Sequence, residues 1–93
     1  MKYKIYFSNS FNKDYKRVVR RNYDLGLFRK CIVTLEETGT LPVVPYKTHK
    51  LRGNYVGYIE AHITPDWLLI WKVDTKNKVV TLTRTGTHSD LFK

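Results

Sequence analysis

The sequence predicts an α+β domain, a helical hairpin packed on one face of a mainly antiparallel sheet of about four to five strands. Three observations point to it. Helical periodicity is confined to two neighbouring stretches in the first half of the chain. Alternating and β-branched runs fill the second half. Residues 67–73 are apolar apart from Lys72, the mark of a central strand buried on both faces. With 93 residues there is room for one domain, 1–93. A chain this short buries only about 60–65% of its unfolded surface, so a thin core is expected.

Taken in order, residues 3–7 alternate weakly and read as a first strand. Ser8, Asn9 and Ser10 suit a helix start, because their side chains accept from free backbone N–H groups. Phe11, Tyr15, Val18 and Val19 then recur on one helical face, and Lys13, Lys16, Arg17 and Arg20 form a basic ridge on another. Residues 22–24 break the pattern. A second helix is expected at about 25–38, with Leu25, Phe28, Ile32 and Leu35 as its buried stripe, Cys31 beside them and Gly39 at its C-terminus. Two short helices so close together predict an antiparallel hairpin. Residues 41–47, with Pro42 and Pro45, read as a connecting loop.

From His49 onward the pattern is β. Residues 55–63 alternate, with Gly57, Ile59, Ala61 and Ile63 on one side and Tyr58, Glu60 and His62 on the other. Residues 74–78 form a hairpin turn, 79–85 the returning strand, and 86–93 a tail carrying His88 and Phe92. The expected order is β-α-α-β-β-β.

Seventeen basic against eight acidic residues give a net charge of +9, which attracts polyanions, nucleic acid first and acidic proteins next. No apolar run is long enough to span a bilayer, and no signal-peptide pattern follows Met1. The lone Cys31 excludes an internal disulfide, fits a reducing cytoplasm and reads as core.

Candidate chemistry gathers around residues 62–67, His-Ile-Thr-Pro-Asp-Trp, where a histidine and a carboxylate flank a short turn. RNA carries its own nucleophile, the 2′-hydroxyl, so acid–base groups and a cation suffice to cleave it. His49, His62, His88 and Asp66 are available for proton transfer and Arg84 for phosphate, while Trp67 and Phe92 suit base stacking. Each also has an ordinary structural reading: His49 as a surface residue, His62 on a solvated strand face, Asp66 as a turn residue, Arg84 in a surface ion pair, the aromatics as core. A metalloenzyme could use the same histidines and Asp66, but their spacing matches no compact ligand motif. A non-catalytic basic RNA-binding or partner-binding domain would keep the charge without needing the histidines.

The second half also carries a family resemblance. Tyr46-Lys47-Thr48-His49, Leu51-Arg52-Gly53, Gly57-Tyr58, Ala61-His62, Pro65-Asp66-Trp67 and the run from Arg84 through Thr85-Gly86-Thr87-His88-Ser89-Asp90-Leu91 to Phe92 resemble the RelE-superfamily toxins of bacterial toxin–antitoxin pairs, most closely the YafQ branch. Lys50 and the long basic first helix depart from it. The resemblance implies a RelE-like fold and a type II toxin that cleaves mRNA in the ribosomal A site, without metal or other cofactor. It places His49, His62, Asp66, Arg84 and His88 at catalytic positions, with Trp67 and Phe92 on substrate. The implied partners are an acidic antitoxin, in a hetero-oligomer, and the ribosome with its mRNA, the free toxin being a monomer. The ridge of Lys13, Lys16, Arg17 and Arg20 would meet ribosomal RNA or the partner.

Overall fold

A computed structural model describes residues 2–92. In chain order it contains β1 (Lys4–Phe7), α1 (Asn9–Arg20), α2 (Leu25–Thr38), a short α3 (Val43–Tyr46), β2 (His49–Lys50), one 3-10 turn (Gly53–Tyr55), β3 (Ile59–Thr64), β4 (Trp67–Asp74), β5 (Val79–Gly86) and α4 (His88–Leu91). The five strands form one sheet in the order β1-β5-β4-β3-β2. Only β1 and β5 pair in parallel, so the sheet is mainly antiparallel, as expected.

Local chemistry sets the helix ends. The Ser8 hydroxyl oxygen accepts from the Phe11 N–H at 3.0 Å and donates its own proton to the Thr83 carbonyl at 2.9 Å, fixing the start of α1 to β5. Asp24 caps α2 by accepting from Gly26, and Gly39 closes that helix in a left-handed conformation. Phe11 and Val18 of α1 and Phe28, Cys31 and Leu35 of α2 pack on Ala61, Leu69, Trp71 and Leu82. Cys31 is core, and burial pushes its thiol pKa up. Asp74 closes the β4–β5 turn, accepting from the Asn77 backbone and side chain at 3.0 and 2.8 Å.

Several expectations are corrected. The strand expected over 55–63 begins only at Ile59, because Gly53–Tyr55 coil into a 3-10 turn and Gly57 has φ +94°. The loop over 41–47 contains α3, and its first residue, Leu41, is core. The tail over 86–93 contains α4, capped reciprocally by Thr87 and Asp90. Val19 is exposed, and the α1 face that meets the sheet holds Asp14 instead.

The second sheet face has a smaller core, in which Leu68 and Ile70 of β4 meet Leu91 of α4, with Leu51, Tyr58 and Phe92 packed at the margin. Gly86 lets β5 turn into α4: its φ is +147°, and a Cβ there would lie 2.9 Å from Asp90 Oδ2. One buried leucine side chain is worth about 1.5–3 kcal/mol. Such a short helix therefore depends on its cap and on charge for its position.

Candidate active site

Strand register builds the site. His49 lies opposite Glu60, Glu60 opposite Ile70, and Ile70 opposite Arg84, so the four form one row across four strands. Directly paired residues project to the same side, which here is the face away from α1 and α2. His62, Leu68 and Gly86 form the adjacent row, and α4 begins where that row ends.

The His49 ring is held on both sides. Its Nδ1 lies 2.9 Å from the Lys47 carbonyl and its Nε2 lies 3.2 Å from Glu60 Oε1. Both partners are acceptors, so donation to both requires the doubly protonated ring. The His62 ring centre is 6.4 Å away, and its Nδ1 makes only a long 3.5 Å contact with the Pro65 carbonyl. At the other end of the face, His88 is exposed on the first residue of α4, with its ring 4.9 Å from Phe92. Tyr55 meets Phe92 edge-on at 5.4 Å.

Arg84 is held by a carboxylate that the sequence reading missed. Asp14, only 3% exposed, accepts from Arg84 Nε at 2.6 Å and Nη2 at 3.2 Å, and from the Thr85 backbone N–H at 3.1 Å. Beyond the end of β1 the edge of β5 lacks a strand partner, and Asp14 takes that place. The fork fixes the guanidinium and leaves Nη1 turned from Asp14. The Asp14 bond is the main reason the Arg84 pKa is raised. The signal was present in the sequence: position 14 is three residues after Phe11 and four before Val18, on the apolar stripe.

Arg17 is corrected by the same cluster. It is half-buried, its Nη1 lying 3.5 Å from Asp14 and 3.9 Å from Asp90, and that atom is buried without a hydrogen bond. Lys13, Lys16 and Arg20 remain exposed as the ridge. Arg21 grips Asp90 with both terminal nitrogens, at 2.7 and 3.1 Å, and so ties α4 to the end of α1. This pair, with the Thr87 hydrogen bonds, holds the Asp90 pKa well below the usual carboxylate range.

Three other expectations change. Trp67 is not a stacking platform: it is 2% exposed, its indole N–H donates to Thr85 Oγ1 at 2.8 Å, and Tyr23 packs edge-on against it. Asp66 is exposed and lines a hollow with Tyr23, Asp24, Leu27, Thr64 and Trp67, whereas His62 lines a different one with Pro45, Lys47 and Pro65. The turn thus places Asp66 and His62 in separate hollows. Glu60 was read as solvated but is buried under His49, because the two-residue β2 covers that edge of β3.

A family model for YafQ, the bacterial toxin of type II toxin–antitoxin systems, matches residues 3–93. The chain belongs to the YafQ family. The mRNA interferase toxin YafQ of Escherichia coli K12 is 40% identical over 89 residues, which cover 95% of this chain and 94% of that one. The YafQ-like chain in the crystal structure of the E. coli DinJ-YafQ toxin–antitoxin complex superposes with a TM-score of 0.82 at 37% identity, over 100% of both chains. The crystal structure of a metal-bound toxin from Helicobacter pylori gives 0.84 at 34% identity, over 97% of this chain and 99% of that one. The RelE-like arrangement expected from the sequence is the one observed. In this YafQ-family member, no group of three or more His, Cys, Asp or Glu among the described residues is placed to hold a metal ion. No helix among them is long and apolar enough to cross a membrane.

Proposed function

We propose that this protein is the toxin of a type II toxin–antitoxin pair and acts in the cytoplasm as a ribosome-dependent mRNA interferase, an endoribonuclease that inhibits translation by metal-independent acid–base catalysis. The observation that carries this reading is one sheet face bearing His49 over Glu60, His62, the Asp14-held Arg84, and His88 with Phe92. The name of the E. coli K12 relative, an mRNA interferase, agrees with it.

In the proposed step the 2′-oxygen of one nucleotide bonds to the adjacent phosphorus while the bond from phosphorus to the 5′-oxygen breaks. A base takes the 2′ proton and an acid returns one to the departing 5′-oxygen, so the step balances without water or metal. His62, with one nitrogen only weakly engaged, and His88, exposed on α4, suit these exchanges. The free edge of Arg84 stabilises charge on the phosphate, and His49, held by Glu60 and Lys47, lines the same row of the face. Phe92 packs against a base. Asp66 lies away from the histidines, so its contribution is to place the β3–β4 turn or a flanking nucleotide.

The ribosome supplies what a small, open face cannot, an mRNA already bent for in-line attack. Positioning of that kind is worth up to about 7–11 kcal/mol. Lys13, Lys16 and Arg20 are exposed for contact with ribosomal RNA. The net charge of +9 suits an acidic antitoxin, and the E. coli YafQ crystallises in complex with DinJ. The proposed states are a hetero-oligomer with that antitoxin and a free monomer.

The test is product analysis on translating ribosomes with and without a chelator. The expected products are an upstream fragment ending in a 2′,3′-cyclic phosphate or its opened form and a downstream 5′-hydroxyl, made at the same rate in chelator. A 5′-phosphate, or loss of activity that returns only with a divalent ion, would overturn the mechanism. Equally fast cleavage of naked RNA would overturn ribosome dependence.

A further inference from the structure

With Trp67 sealed in the core, the catalytic face has fewer rings for RNA than the sequence suggested. Phe92 is partly buried between His88 at 4.9 Å and Tyr55 at 5.4 Å. Tyr58 is half-buried, and Lys72 Nζ lies over its ring, 5.2 Å from the centroid. Tyr55 stands between them, edge-on to Phe92 and, at 6.4 Å, edge-on to Tyr58, and it is 36% exposed. It closes the 3-10 turn, anchored by its N–H donating to the Arg52 carbonyl. Lys50 and Arg52 are exposed nearby in the chain.

We propose that Tyr55 is the platform of an accessory base-stacking subsite, which binds a nucleobase of single-stranded RNA next to the nucleotide that meets Phe92. The inference rests on the interferase reading and deepens it. Tyr55 adds ring surface open to solvent beside Phe92, and ring surface of that kind is what an unpaired base stacks on. The row Tyr58–Tyr55–Phe92–His88 leads from the subsite to a proton-transfer group. A base held on Tyr55 therefore sets the register of the strand. Stacking accepts any base, so the subsite strengthens binding without reading sequence.

Substrate kinetics on translated mRNA test the proposal. Tyr55→Ala is expected to raise KM about tenfold, in line with the loss of one stacked base. The kcat and its pH profile should be unchanged, the pattern of an interaction made equally in ground and transition states. Tyr55→Leu, which keeps bulk against Phe92, should behave like Tyr55→Ala, while Tyr55→Trp should recover the KM. Tyr6→Ala, at an exposed tyrosine on β1, serves as control and should change nothing. A second arm measures binding of a fluorescein-labelled single-stranded RNA oligonucleotide to His88→Ala, with and without Tyr55→Ala. Weaker binding in the double variant is expected, together with quenching of the indole introduced by Tyr55→Trp when RNA is added. An unchanged KM and unchanged binding, or a loss confined to kcat as for a prop under His88, would overturn the subsite. If the wild type cleaves no RNA, the interferase reading falls by itself, and the binding arm still decides the subsite.

Discussion

The two faces of the sheet are built differently. On the helical side, α1 and α2 cover the strands with Phe11, Val18, Phe28, Cys31 and Leu35, and Trp71 is fully buried among them with its N–H donating to the Gly39 carbonyl. On the other side Leu68, Ile70 and Leu91 make a small floor, with Leu51, Tyr58 and Phe92 at its margin and His49, Glu60, His62 and Arg84 on the same face. β4 is buried on both sides, but one side is sealed by packing and the other is left reachable by charge and hydrogen bonds. On the proposed mechanism, the difference separates stability from chemistry. A thin domain places most of its packing energy behind the sheet and keeps the front for side chains whose loss leaves no large cavity.

That contrast makes the largest expected effects fall on the helical face. Trp71→Ala should lower unfolding free energy by about 3–5 kcal/mol, whereas Leu91→Ala should cost about 2 kcal/mol, the low end for truncating a buried leucine. Urea unfolding of both variants compares the two faces, and equal losses would erase the distinction. Next comes Asp14→Ala, which strands Arg84, Arg17 and the Thr85 N–H at once. The expected loss is about 2–3 kcal/mol, below the range for a fully buried pair because Arg84 is 30% exposed. Cleavage should fall further than this destabilisation explains, since Arg84 loses its orientation. Unaltered cleavage by folded protein would remove Arg84 from phosphate binding.

A smaller effect follows from Asp90. Its folded pKa is depressed, chiefly by Arg21, so its contribution to stability is complete well above the unfolded aspartate value of about 3.9 and is lost as the pH falls below it. The stability gap between wild type and Asp90→Asn should therefore be constant near neutrality and close on acidification. A gap that widened toward acid would show that the Arg21 pair does not hold α4.

Much of the fold could be read locally. Ser8 at the start of α1 and Gly39 at the end of α2 carry their roles in their own chemistry, and the apolar run of β4 announces burial on both faces. The misses were non-local or short. The parallel β1–β5 pair joins residues 75 positions apart, and no periodicity reports it. α4 is too brief to show a helical repeat, although its Thr87-x-x-Asp90 box was visible. At the site, the histidines and Arg84 stood out by residue type, whereas the burial of Glu60 and Asp14 comes from partners elsewhere in the chain: β2 for Glu60, the free edge of β5 for Asp14. Trp67 failed in the opposite direction, its large ring marking core instead of substrate.

The separation of stability from chemistry is tested most directly by measuring unfolding free energy and mRNA cleavage on one preparation of His88→Ala. His88 is exposed on α4, so its truncation should change stability by no more than about 0.5–1 kcal/mol. Cleavage on translating ribosomes should fall at least about 100-fold, the loss expected for a general acid or base. Near-normal cleavage by the folded variant would contradict the assignment of the chemistry to this face of the sheet.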